Sequence, residues 1–401
     1  MTSRIAEDAH NISDLRNMAK RRLPRWLFEF FDRGAEDEVA LRNNRDAFER
    51  IKFVPRILTD ISRRKQGITL FGKQHEMPIA IAPTGAAGMM WYQGELELAR
   101  AAKAAGIPFS LAIGSITSME KVAAEVGGTL WMQLYVSEEL ELTLPIARRA
   151  AAAGFDALLI TVDGMVAGNR EYNKRNGFTV PFRYNRRNTW DVTTHPRWLF
   201  GVLARYLLNG GMPRRVNFPD ELREKVTSGH ATSKNWWANE TLNWDHIKVL
   251  RDAWPGKLII KGVLHPGDAE RAVESGADGI VVSNHGARNC DSSPAPIDVL
   301  PGIVQAVGHR TTVLVDSGFR RGSDVVKALA LGADAVLVGR GTLYGIAAGG
   351  EAGASRALTI YREEISRAMA QVGCNSVEEL NPDVLLRTAQ FVQGGSIQRL
   401  A

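Results

Sequence analysis

The stretch IVVSNHGARNCDSSPAP (280–296) places an imidazole, a guanidinium and a carboxylate, on His285, Arg288 and Asp291, within seven positions, directly after a run of β-branched apolar residues. Histidine exchanges a proton near neutral pH, because its ordinary pKa is about 6.5. Arginine forks onto a carboxylate. Together these groups suit proton transfer on an anionic substrate; the bland alternative is a polar loop closing the fold. Similar groups follow other apolar runs: Gln133 and Tyr135, Thr161 and Asp163 with Arg170 soon after, Lys261, Asp316 ahead of SGFRRG, and Gly339 with Arg340. Singly, each reads as well as a hydrogen-bonded rim residue. An aspartate such as Asp163 can fix a histidine's tautomer and stabilise its imidazolium. Lys261, ending an apolar run, offers a fixed positive charge for a reduced, anionic cofactor.

The elements that must position these groups form a regular series. Short apolar runs occur at 78–83, 108–113, 130–136, 157–163, 257–263, 279–284, 312–317 and 335–340, with amphipathic stretches such as GELELARAAKAAG and GSDVVKALALGAD between them. Wholly apolar strands suit a parallel sheet covered on both faces. Eight such units predict an α/β protein, a (β/α)8 barrel with chemistry at the C-terminal ends of its strands. The alternative is a doubly wound open sheet, which would usually carry G-x-G-x-x-G after its first strand; no early strand here does. After the seventh and eighth strands the chain reads DSGFRRGSD and GRG. Bare glycine amides, a helix start and Arg320, Arg321 and Arg340 suit a phosphate-bearing cofactor.

Composition excludes several classes. Of 401 residues, 45% are hydrophobic, enough for one large domain, and the two cysteines make neither a disulfide framework nor a zinc site. No metal site is expected. No signal peptide is apparent in MTSRIAEDAHNISDL, and no apolar run approaches the roughly 20 residues of a membrane span.

SNHGARNCD resembles the S-N-H-G-[GA]-R-Q-x-D signature of the FMN-dependent α-hydroxy-acid dehydrogenases and oxidases. The likeness runs through NRDAFERIKFVPRILTDIS, MPIAIAPTG, QLYV, TVDG, KGVL and DSGFRRGSDVVKALALGADAVLVGR, and it is nearest the membrane-bound mandelate and L-lactate dehydrogenases. It implies a single FMN-binding domain over 1–401, a (β/α)8 barrel with an N-terminal helical segment and a long insertion after the fourth strand. It implies His285 as base, Asp163 as its partner, and Arg170, Arg288 and Tyr135 on the substrate. Lys261 would sit near the flavin N1–C2=O edge. Gln133, Thr161, Ser283 and the backbone of Pro83, Thr84 and Gly85 would surround the isoalloxazine. Asp316, Gly318, Arg320, Gly339 and Arg340 would hold ribityl and phosphate. The chain also departs from the family pattern: Phe30 in LFEFF replaces a tyrosine that helps bind the carboxylate, Ala112 replaces a serine near the flavin, and Asn289 and Cys290 replace Gln and a larger apolar residue. Phe30, Met89, Trp91 and Gly114 are candidates for the substrate wall, favouring an aryl or bulky acid.

Roughly ninety residues separate the fourth and fifth strands, far more than an ordinary connection. Within them, residues 181–218 hold seven arginines and one aspartate, an excess equal to the +6 of the whole chain, around the apolar core RWLFGVLARYLL. An apolar helix with basic flanks suits an anionic membrane surface; a lid or oligomer contact is the alternative. The solid apolar block argues against nucleic acid. The resemblance identifies this part as a membrane-anchoring segment. The expectation is therefore a mobile, membrane-associating insert over 177–235, touching the membrane through 183–215, on a cytoplasmic homo-oligomer (a tetramer) peripheral to the inner face of the cell membrane. The expected reaction is oxidation of an (S)-2-hydroxy acid, mandelate-like, to the 2-oxo acid, with a quinone as acceptor. An oxygen-using oxidase, an L-lactate dehydrogenase and a non-catalytic membrane-surface flavin protein stand as alternatives.

Overall fold

A computed structural model describes residues 8–178, 185–219 and 238–387. Eight parallel strands, β1 (Ile79–Ile81), β2 (Phe109–Ala112), β3 (Leu130–Leu134), β4 (Ala157–Thr161), β5 (Lys257–Val263), β6 (Gly279–Val282), β7 (Thr312–Val315) and β8 (Ala335–Val338), close in chain order into a barrel. The closing pair sets Leu337 opposite Ala80 and Val338 opposite Ile81. That pairing excludes an open sheet. Every residue of β1, β2, β3, β4, β6 and β8 is buried, which is why these strands read as unbroken apolar runs. Left-handed glycines, Gly154 (φ 80°) before β4 and Gly276 (φ 85°) before β6, end the preceding helices at little steric cost.

Successive strand residues point to opposite sides, and this period decides what the barrel holds. Ala80, Ala82, Trp131, Leu159, Ile259, Val281, Leu314 and Leu337 share one apolar cluster inside it. Two residues further along the same strands stand Thr84, Gln133, Thr161, Lys261, Ser283, Asp316 and Gly339. The inward face thus changes from apolar to polar at the C-terminal rim. At the opposite end the Ile68–Leu70 and Lys73–His75 hairpin plugs the barrel, with Phe71 edge-on to Trp131.

Among the described residues three helices precede the barrel, Ile12–Arg22, Arg25–Asp32 and Val39–Glu49. The second buries Trp26, Leu27, Phe28 and Phe31 and ends against the rim. Its last carbonyls have no partner within the helix. Phe30 O accepts from Arg288 Nη1 at 2.7 Å and Phe31 O from Arg340 Nε at 3.0 Å, while Arg33 O just beyond accepts from both arginines. Asp291 faces away from the rim. Its Oδ1 accepts from the Ala40 amide at 3.0 Å and its Oδ2 from the Asp37 amide at 3.1 Å, capping from outside a helix whose own N-cap side chain makes no such bond.

The insertion expected over 177–235 lies partly outside the described residues, at 179–184 and 220–237. A helical stretch at 196–209 includes a π turn at Leu199–Leu203. Its inner side is fixed: Trp198 Nε1 donates to Met89 O at 2.7 Å, and the Gln93 amide donates to the Tyr206 hydroxyl at 2.9 Å. Phe200, Leu207 and Leu208 are exposed on it. Among the described residues no helix is long and apolar enough to cross a membrane.

Candidate active site

At the C-terminal mouth of the barrel lies a cavity of about 360 Å³. Its wall carries Phe30, Pro83, Thr84, Gly85, Gln133, Tyr135, Thr161, Arg170, Lys261, His285, Arg288, Asp316, Gly318, Arg320, Gly339 and Arg340. The rim residues picked out from strand ends are therefore brought together. Asp163 and Ser283 stand behind the wall and support it.

His285, Gly286 and Ala287 all have φ near +60°. Left-handed backbone is unfavourable for residues with a Cβ. Here it turns the chain so that His285 enters the cavity while Arg288 comes back over it. The turn is pinned by the His285 amide donating to Ser283 Oγ at 3.1 Å and the Gly286 amide donating to Ser317 Oγ at 3.0 Å. His285 Nδ1 lies 2.8 Å from Asp163 Oδ1 and Nε2 lies 3.5 Å from the Tyr135 hydroxyl. Asn289, a departure from the family pattern, donates to Asp163 O at 2.8 Å and so holds the aspartate's backbone.

The electrostatics separate the two partners. Burial pushes the His285 pKa down, Asp163 opposes this, and Lys261 and Arg170 add to it, so the net shift is downward. Burial alone would raise Asp163, but His285 and Lys261 hold its carboxyl below the usual value. The pair thus rests as neutral imidazole and carboxylate. An ionised Asp163 accepts a hydrogen bond from Nδ1–H, which leaves the Nε2 lone pair facing the cavity.

Lys261 is 5% exposed. Its ammonium donates to Ser283 Oγ at 2.9 Å and lies 3.3 Å from Asp316 Oδ2. Burial works against its charge, yet Asp316 and Asp163 raise its pKa overall, so it stays cationic. Ser283, expected beside the flavin, is fully buried and accepts from Lys261 and from the His285 amide. Gln133 Nε2 donates to Thr161 Oγ1 at 3.0 Å, locking both side chains.

Two guanidiniums crowd the substrate side. Arg170 Nε donates to Arg288 O at 3.3 Å. Gly168 permits this approach, since a Cβ there would lie 2.1 Å from the same oxygen. Burial and then the nearby Arg170 lower Arg288 to about 10, and a bound anion would relieve both effects. The Phe30 ring lies 4.7 Å from that of Phe178. Met89, Phe178, Arg215 and Phe218 complete this side; the last three were not picked out from sequence, because the insert reaches the cavity only through tertiary folding. Trp91, expected on the wall, packs under the Arg22 guanidinium, which sits 4.1 Å from its ring centroid. Arg321 turns from the phosphate end to Glu364, at 3.0 Å.

The FMN-dependent dehydrogenase family model matches residues 19–387. The chain is 41% identical to (S)-mandelate dehydrogenase of Pseudomonas putida over 381 residues, 95% of each chain. It is 39% identical to L-lactate oxidase of Nostoc sp. over 380 residues, 94% of this chain and 97% of the other. A crystal structure of the monotopic membrane protein (S)-mandelate dehydrogenase superposes with a TM-score of 0.89 at 41% identity, covering 95% of this chain and all of that one.

The cavity fits FMN on its own chemistry. Gly85 and Gly114 back onto each other, a Cβ on Gly85 lying 3.8 Å from the other's backbone, so bare main chain faces the space. Gln133, Thr161 and the buried cation of Lys261 offer donors to the polar edge of an isoalloxazine, and Arg320 with Arg340 offers charge to a phosphate. The chain belongs to the FMN-dependent dehydrogenase family and is an FMN-dependent oxidoreductase of its 2-hydroxy-acid dehydrogenase and oxidase group.

Proposed function

We propose that this protein oxidises an (S)-2-hydroxy acid with an aryl or bulky side chain to the 2-oxo acid, with His285 as base, and passes the electrons to a membrane quinone. The observation that carries this reading is His285 held between Asp163 at 2.8 Å and the open cavity, in the neutral form a base requires. When bound, FMN supplies the two-electron acceptor. Gln133, Thr161, Lys261 and the backbone of Pro83, Thr84 and Gly85 would hold its ring; Asp316, Gly318, Arg320, Gly339 and Arg340 would hold ribityl and phosphate.

The chain's own residues do the rest. Arg170 and Arg288 clamp the substrate carboxylate. The Tyr135 hydroxyl, near His285 Nε2, orients the substrate hydroxyl. Nε2 takes that proton as the C–H bond breaks, the hydrogen and its electron pair leaving to the acceptor that bound FMN would supply, and Asp163 stabilises the imidazolium that results. Phe30, Met89, Phe178 and Phe218 on the wall favour an aromatic side chain over a methyl group, and the mandelate-oxidising relative agrees.

The insert supports a quinone as the acceptor. Phe200, Leu207 and Leu208 are exposed beside Arg197 and Arg205, a pattern that suits an anionic membrane surface, and one relative is described as monotopic. Peripheral attachment to the inner face of the cell membrane and a homotetramer belong to the same proposal. Mixing the substrate-reduced enzyme with a soluble quinone and, separately, with oxygen tests the acceptor. Fast reoxidation by quinone and slow reoxidation by oxygen are expected; the reverse would make the protein an oxidase.

A further inference from the structure

Glu95 is 1% exposed, and its carboxyl is held by dipoles rather than by a cation among the described residues. Oε1 accepts from the Ile116 amide at 3.3 Å and Oε2 from the Thr117 hydroxyl at 3.0 Å. The Gly88 amide donates to the same group. A Cβ at Gly88 would lie 2.7 Å from Oε2, so the approach needs glycine. Burial pushes this carboxyl's pKa up, and the Gly88, Ile116 and Thr117 donors pull it back.

The partners belong to two different segments, one following β1 and one following β2. Each segment lines the cavity, the first through Gly85 and Met89, the second through Ile113 and Gly114. Neither segment is regular strand at these positions; they meet backbone to backbone at Gly85 and Gly114, and the Ile116 side chain packs against Gly88. At the glycine pair no side chain sets that spacing, so it depends on what joins the segments next to it: the Ile116 side chain against Gly88 and the polar ties through Glu95. We infer that Glu95 is a positioning residue that ties the two segments together beneath the cavity and so fixes the seat of the flavin and the substrate wall at Met89. The inference rests on the reading that FMN lies against this wall.

Glutamine is the discriminating substitution. An amide nitrogen facing Thr117 could donate to its hydroxyl but would oppose the Gly88 N–H; facing Ile116, it would oppose that N–H. E95Q therefore loses an acceptor in either orientation while keeping the volume. The holoenzyme variants E95Q, T117V and T117S are compared for FMN dissociation constant, visible flavin spectrum, and KM against kcat. E95Q is expected to bind FMN at least about tenfold more weakly, to shift the flavin absorption maximum, and to raise KM more than it lowers kcat. T117V should move the same readouts less, and T117S should recover them. K261M separates the two ideas. Weak FMN binding in K261M with native FMN affinity, spectrum and KM in E95Q overturns the role of Glu95. Native FMN affinity in K261M overturns the flavin seat itself. Should E95Q not fold, T117V decides, and native values there overturn the inference.

Discussion

The Arg288 guanidinium donates to the Phe30 carbonyl at 2.7 Å and lies 5.2 Å from the centroid of the same residue's ring. Phe30 thus anchors one arm of the proposed carboxylate clamp through its backbone while its side chain faces the cavity without a donor. In F30Y a hydroxyl would enter that space. A hydrogen bond to a charged group contributes about 1.5–3 kcal/mol, so KM for a free 2-hydroxy acid should fall roughly tenfold. KM measured for an acid and its methyl ester checks this. An equal gain with the ester would show that the hydroxyl does not meet a carboxylate.

Asp163 is the residue that sets the histidine's tautomer. In D163N, an amide facing Nδ1 either donates to it, placing the proton on Nε2, or accepts from it without the charge that supports imidazolium. A fall in kcat of about 10²–10⁴-fold is expected, with FMN retained. Single-turnover flavin reduction is the measurement, and a rate within a few-fold of native would remove Asp163 from the mechanism.

The pH dependence has a definite sign. Burial, aided by Lys261 and Arg170, keeps the His285 pKa below its ordinary value despite Asp163. The base is then neutral throughout the neutral range, and kcat/KM should be lost only as pH falls below about 6.5. Stability moves the same way: the unfolded chain takes up the proton at higher pH than the folded one, so folding weakens as pH drops from the ordinary histidine value towards the folded value. A pH–rate profile with its acid limb above 7 would contradict the assignment.

Asp291 stands beside the site without belonging to it. D291A would leave the Asp37 amide without its acceptor and the Ala40 amide with the Asp291 carbonyl alone, at a cost of about 1–3 kcal/mol. The thermal midpoint should drop while kcat of the folded enzyme stays near native. A loss of kcat with unchanged stability would place Asp291 in the chemistry after all.

What the sequence disclosed follows from range. The eight strands were legible because parallel strands buried on both faces must be apolar throughout, and the rim residues because strand ends mark themselves where the apolar run stops. Asp291 was not legible: three left-handed residues, 285–287, reverse the chain between the base and this carboxylate, and no composition signal announces that turn. Phe178 and Phe218 were hidden for another reason. They line the cavity only because the insert folds back on it, through contacts such as the Asn217 side chain accepting from the Met119 amide and donating to Thr117 O. Trp91 and Ser283 lie off the cavity lining, since proximity in sequence to lining residues does not say which way a side chain turns.

The central claim is that His285 is the base for a 2-hydroxy acid. It is tested most directly by the rate at which (S)-mandelate bleaches the flavin of the FMN-loaded protein without oxygen, native against H285Q. The account predicts rapid bleaching in the native protein and a rate lower by about 10²–10⁴-fold in H285Q at full FMN occupancy. Bleaching of H285Q at a near-native rate would contradict it.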